Sequence, residues 1–173
     1  MITVTTGRNP SQSTRKFVKE LVKILPNARK LVRGKMPLNQ LIDNMHDSEV
    51  ARLIMVYRGF NGPIRIELMS RQETRLESSN LTLIVRHVRY FPESKKGKRI
   101  KLQCLTITSK QDLKFVELLS DFLQLPIIKH DDKICEFSLN ISRKDNNDLM
   151  LSIVNLKTGK PKRFQIIIKD LKW

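Results

Sequence analysis

Two stretches of this chain read almost as copies of each other: TVTTGRNPSQSTRKFVKELVKILP at residues 3–26 and LTITSKQDLKFVELLSDFLQLP at residues 105–126. Each places an alternating, β-branched run ahead of turn residues, then a segment with the apolar spacing of a helix. In the first, Phe17, Val18, Leu21, Val22 and Leu25 fall on one face and Arg15, Lys16, Lys19 and Lys23 on the other. Ser11 or Ser13 stands where a hydroxyl caps a helix start. Lys16-Phe17-Val18 and Lys114-Phe115-Val116 lie 98 positions apart, and the same offset joins Val56 to Val154, Pro63 to Pro161 and Arg65 to Arg163. A helix and a hairpin repeated at one offset predict two similar α/β halves. Thr3 and Thr5 match Thr106 and Thr108 at a larger offset, so the first copy is expected to carry a longer strand–helix loop.

Outward from these stretches the pattern is of short strands and few helices. NARKLV reads as a strand, PLNQLIDNMHD as a helix with Pro37 in its first turn, and RLIMVY as a buried strand turned by GFNGP into IRIELMS. The polar run RQETRLESSN reads as the connector between halves, followed by the strand LTLIVRHVRYF, a basic turn and IKLQCLTITSK. Ser109 opens the next helix with Asp112 placed for a capping box. KICEFSLNIS, DLMLSIVNL and RFQIIIKDL supply the last strands, the final two joined through KTGKPK. The predicted fold class is α/β with mixed sheets (α+β): a single domain over residues 1–173, in halves 1–79 and 80–173.

Charge is the second signal. The 173 residues hold 33 Lys and Arg against 17 Asp and Glu, a net charge of +16. Residues 8–35 carry +8, residues 86–101 carry +6 and residues 157–173 carry +5, which leaves the remainder at −3. Charge gathered in three segments favours a polyanionic partner over a uniformly solubilised surface. The two helix faces differ in the same sense: against the basic face of the first, the second carries Asp112, Glu117 and Asp121, with Lys114 its only base. The helix start near Arg8, Ser11 and Ser13 offers unpaired N–H groups to a phosphate.

Other classes find no support. His46, His87 and His130 are scattered, and no metal-ligand, Walker A, dinucleotide or GxSxG spacing occurs, so neither an enzyme nor a cofactor or small-molecule substrate is predicted. No apolar run spans a bilayer and the start lacks a secretory pattern. Cys104 and Cys135 read as free core thiols of a reducing compartment, which points to the cytoplasm. With aromatics at 6%, backbone and shape contacts to structured RNA are expected rather than base stacking.

Residues 3–41, TVTTGRNPSQSTRKFVKELVKILPNARKLVRGKMPLNQL, resemble the opening of the Brix domain family of ribosome-biogenesis factors: a strand, a T(S/T)xRxPS turn and a basic helix ending in LPN. GFNGP and its strand look like the family's Gly-Pro step, and VRHVRYF with its basic loop matches a later portion. The likeness spans nearly the whole chain, most closely in the first forty residues, and departs at Gly7, where Ser is common. It implies two halves each resembling the anticodon-binding domain of class II aminoacyl-tRNA synthetases, in a compact archaeal-type member. It also implies ribosomal RNA or pre-rRNA as ligand, with ribosomal proteins or other assembly factors as partners. A protein-interaction scaffold and a tRNA anticodon binder are the alternatives. The candidate RNA-binding residues are Arg8, Ser11, Arg15, Lys16, Lys19, Lys23, Arg33, Lys35, Arg86, Arg89, Lys95, Lys96, Lys98, Arg99 and Lys101.

Overall fold

The computed structural model describes residues 1–43, 52–72, 75–92, 100–108, 112–129, 134–144 and 148–173. In chain order the elements are β1 (Ile2–Thr6), α1 (Gln12–Ile24), β2 (Ala28–Lys30), α2 (Leu38–Asp43), β3 (Arg52–Arg58), β4 (Pro63–Gln72), β5 (Arg75–Tyr90), β6 (Cys104–Ile107), α3 (Leu113–Leu123), β7 (Ile127–Ile128), β8 (Phe137–Arg143), β9 (Leu149–Asn155) and β10 (Lys160–Lys172). Among the described residues the strands form one sheet, in the order β2-β1-β3-β4-β5-β10-β9-β8-β6-β7. β1 lies parallel to β2 and β3, β6 lies parallel to β7 and β8, and every other pair is antiparallel. The order therefore reads alike from either edge, and the two runs meet at the β5–β10 pair.

This topology revises the repeat. α1 and α3 hold equivalent places, but the counterpart of β3 is β8 and that of β4 is β9. Val56 lies on β3 and Val154 on β9, while Pro63 and Arg65 lie on β4 and Pro161 and Arg163 on β10, so the downstream matches pair unlike strands. Residues 31–51, including α2, separate β2 from β3, whereas only residues 129–136 separate β7 from β8. The shorter link slides each later strand one place along the offset. The strand–helix loops also match in length: α1 starts four residues before Lys16 and α3 one before Lys114, so the extra residues sit in the helix. RQETRLESSN is not a connector either. Gln72 pairs with Arg75, and the run belongs to the β4–β5 hairpin, because the backbone ladder forms whatever the side-chain polarity.

One face of the sheet carries both long helices. Phe17, Val18, Leu21 and Ile24 of α1 and Phe115, Val116, Leu119 and Phe122 of α3 pack with Ile54, Val56, Leu83, Leu151 and Ile166 in one core. Leu21 and Leu25 share an apolar cavity of about 50 Å³ with Leu119 and Leu123, over the middle of the sheet. Each wholly buried ring such as Phe17 or Phe115 contributes roughly 1.5–3 kcal/mol. Strand alternation sends Leu53, Met55 and Met69 to the opposite face, where Leu41 of α2 covers them. The corresponding face of the second half is polar: Thr106 lies within hydrogen-bond reach of Ser138 and Asn140, and Gln165 donates to Ser152.

Two further expectations change. Asp112 occupies the N-cap position of α3, but its side chain makes no cap hydrogen bond. It accepts from the Arg143 guanidinium at 2.5–3.1 Å, because a charged, bidentate partner outcompetes a single amide. Cys104 and Cys135 are not free thiols; they form a disulfide with Cα atoms 6.5 Å apart. The cysteines thus lend no support to a reducing compartment. Among the described residues no helix is long and apolar enough to cross a membrane.

Candidate nucleic-acid interface

The β1–α1 turn begins at Gly7, whose N–H donates to the Val56 carbonyl at 2.9 Å. A Cβ there would stand 2.9 Å from Cδ1 of Tyr57, so a serine in its place would require the ring to move. Ser11 caps α1, its hydroxyl accepting from the Thr14 amide at 3.2 Å. From that cap Arg15, Lys16, Lys19 and Lys23 run along the exposed face, because the apolar positions between them are buried in the core. Beside them opens a groove of about 920 Å³, lined by Gln12, Ser13, Arg15, Lys16 and Lys19 from α1 and by Lys30 and Val32 from the β2 edge.

The other two basic segments reach this helix. Tyr90, near the end of β5, lies under Lys16, whose Nζ is 4.6 Å from the ring centroid. Phe164 packs between Phe17 and Tyr90, at centroid distances of 5.2 and 6.2 Å. Next to it, Arg163 sits at φ 58° in a bulge of the β9–β10 ladder and pairs with Glu20 of α1 at 3.2 Å. Glu20 also holds Lys23 at 2.6 Å. The Lys101 ammonium donates to the carbonyls of Leu25 at 2.7 Å and Val22 at 3.3 Å, closing the C-terminal end of α1 where a cation is favoured. Residues 86–101 thus approach α1 twice, through Tyr90 below Lys16 and through Lys101 at the helix end.

Not every candidate joins this surface. Arg33 donates to the Met36 carbonyl at 2.9 Å and approaches Met55 Sδ at 3.7 Å, which ties it to the α2 side, with Lys35 exposed in the same loop. Arg86 makes an ion pair with Asp148 at 2.8 Å. Arg89 stacks over Phe91 at 5.3 Å, and alternation sets it on the sheet face opposite Tyr90. Arg8 is exposed in the β1–α1 turn. Lys95, Lys96, Lys98 and Arg99 lie outside the described residues, as do His46, His130 and Ser109. Lys30 and Arg163 are absent from the sequence candidates; both belong to basic segments, but only tertiary contact reveals that they reach α1.

The two tyrosines report on this architecture. Burial, with the nearby Glu20 charge, pushes Tyr90 up to about 12. Burial also raises Tyr57, whose hydroxyl donates to Glu67 at 2.6 Å. Each folded-state pKa is raised, so the neutral phenol is the form the fold stabilises. That stability is complete below the unfolded value near 10 and is lost as pH rises through the folded values. Absorbance at 295 nm is expected to titrate above pH 10 in the folded protein and near pH 10 in guanidinium. Superimposable curves would contradict both burial environments.

Comparison with known proteins places the chain. No family model matches it. It is 99% covered by a crystal structure of a "probable ribosomal biogenesis protein" from Aeropyrum pernix K1, at TM-score 0.73, 18% identity and 98% coverage of that chain. An archaeal Imp4-like protein superposes at TM-score 0.68, 21% identity, and 99% and 98% coverage. The chain shares the fold of these two archaeal proteins. By sequence, the chain is 36% identical over 80 residues to a "probable Brix domain-containing ribosomal biogenesis protein" of Methanococcus maripaludis, covering 46% of this chain and 45% of that one. A protein of the same description from Pyrococcus horikoshii is 29% identical over 66 residues, or 38% and 30% of the two chains. These matches span less than half the length of the curated relatives. Over these stretches the chain is similar to archaeal Brix domain-containing ribosomal biogenesis proteins, the family its opening residues resemble.

Proposed function

We propose that this chain is a non-catalytic RNA-binding factor of ribosome assembly, which grips ribosomal RNA or pre-rRNA through the basic face of α1. The observation that carries this reading is the approach of the other two basic segments to the helix of the first, through the Lys16–Tyr90, Glu20–Arg163 and Lys101–Leu25 contacts. Lysines and arginines along a groove suit phosphates and 2′-hydroxyls more than base edges. The names of the relatives supply the assembly context, and we infer action in the cytoplasm. The mirrored strand order supports two related halves; that each resembles an anticodon-binding domain is what the Brix resemblance implies.

Binding to rRNA fragments between 50 and 200 mM salt tests it. Displacement of counterions by several phosphate contacts predicts a steep, linear fall of log affinity with log salt. tRNA should compete less well than rRNA fragments. A flat salt dependence would remove the phosphate-grip reading, and better competition by tRNA would favour the anticodon-binding alternative. A protein-docking role for the same chain draws support from α3, where Leu113 and Leu118 are 48% and 41% exposed near Glu117 and Asp121.

A further inference from the structure

The β3–β4 hairpin ends in a feature that the basic groove leaves unused. Phe60 is 99% exposed at its tip, while every other Phe with a described partner packs against a ring, a cation or the core. Water disfavours a ring held entirely in solvent, and single exposed apolar residues are common enough to mean nothing alone. Here the ring stands on a shaped support. The Gly59 N–H donates to the Gly62 carbonyl at 2.6 Å, closing the turn. A Cβ on Gly59 would meet Ile64 at 3.0 Å and the Gly62 carbonyl at 3.1 Å, and Gly62 has φ +144°, so both glycines suit this backbone.

The tip is also fastened to the start of α1. Arg58 donates to the Asn9 carbonyl at 3.1 Å, and Asn9 precedes Pro10, which lines the groove. Arg8 and Arg58 are both exposed beside this junction. An apolar ring two residues from Arg58, whose guanidinium reaches the Asn9 carbonyl beside groove-lining Pro10, suits a nucleotide: a π-face for the base and a cation for an adjoining phosphate.

Resting on the RNA-binding reading above, we propose that Phe60 stacks on an unpaired base of the bound RNA while Arg8 and Arg58 hold its flanking phosphates. The hairpin tip then selects junctions where a helix opens into a loop or bulge, and the α1 groove follows the adjoining backbone. The expectation that backbone and shape contacts outweigh stacking rests on aromatic content, which does not register where a single ring stands.

Phe60→Ala, Phe60→Trp in a Trp173→Phe background, and wild type are compared on a stem–loop RNA and on a blunt duplex of the same stem. Phe60→Ala is expected to weaken stem–loop binding roughly tenfold and leave duplex binding nearly unchanged. Phe60→Trp should retain affinity, with its fluorescence quenched by the stem–loop. Because Phe60 supports no core contact, these variants keep the wild-type thermal transition. Wild-type affinity in Phe60→Ala, an equal loss on both RNAs, or indole fluorescence in Phe60→Trp that the stem–loop leaves unquenched would overturn the stacking role and leave the α1 groove standing. Loss of a copurifying protein with RNA affinity intact would assign the tip to a protein contact instead. Wild type that binds neither RNA removes the RNA-binding reading itself.

Discussion

Arg15, Lys16 and Lys19 replaced together by glutamate are expected to lower RNA affinity by about a hundredfold or more at 100 mM salt, with the fold intact. The three side chains are exposed and line one groove, so their reversal takes away several phosphate contacts and adds repulsion. Each lost contact lowers the salt slope by roughly 0.7–0.9, so the slope should fall by about two to three. The structural penalty is small. Arg15 and Lys19 support no packing in the core, and Lys16 gives up its place over Tyr90, worth about 0.5–1 kcal/mol. Filter binding across a salt series and a thermal melt on the same preparation check both halves of the expectation. A folded triple variant with wild-type affinity would move the interface elsewhere.

Reduction of Cys104–Cys135 should lower the melting temperature by roughly 10 °C. The bond closes a loop of sequence separation 31, which contains α3 and β7, and ties the start of β6 to the residue two before β8. Chain-entropy reasoning gives about 3–4 kcal/mol for a loop of this length. A chain of this size shifts by about 2–4 °C for each kcal/mol. Melts with and without reductant, on wild type and on a Cys104→Ala/Cys135→Ala variant, separate the bond from the packing of its side chains. Reductant should move only the wild type, and equal melting in both conditions would argue that no bond forms in solution.

Which features the sequence disclosed follows from their range. α1 was readable from its buried stripe and basic face, with the cap narrowed to Ser11 or Ser13 and the structure choosing Ser11, because capping and periodicity are local. The β3–β4 hairpin was readable for the same reason. The repeat was legible in its first strands and helices, β1–α1 and β6–α3: the matches in the hairpins arose from coincidence at one offset, and strand pairing alone distinguishes β4 from β10. Asp112 had the right spacing for a cap, but Arg143, 31 residues away, claims it. The disulfide has the same separation and leaves no local pattern. Of the candidate site, the α1 lysines were evident, while the roles of Lys101 and Arg163 at α1 required folding to bring distant segments together. Phe60 escaped notice because a phenylalanine among turn residues says nothing of whether anything covers it.

The edges of the sheet carry a consequence for life in a crowded cell. The two outermost strands, β2 and β7, have only three and two residues. Such stubs leave little unpaired backbone on which another polypeptide could add a strand. Unfolded segments of other chains would find few hydrogen-bonding rungs to extend. A broad sheet is thereby kept from templating aggregation, and partners are left to recognise the molecule by its helices, faces and turns.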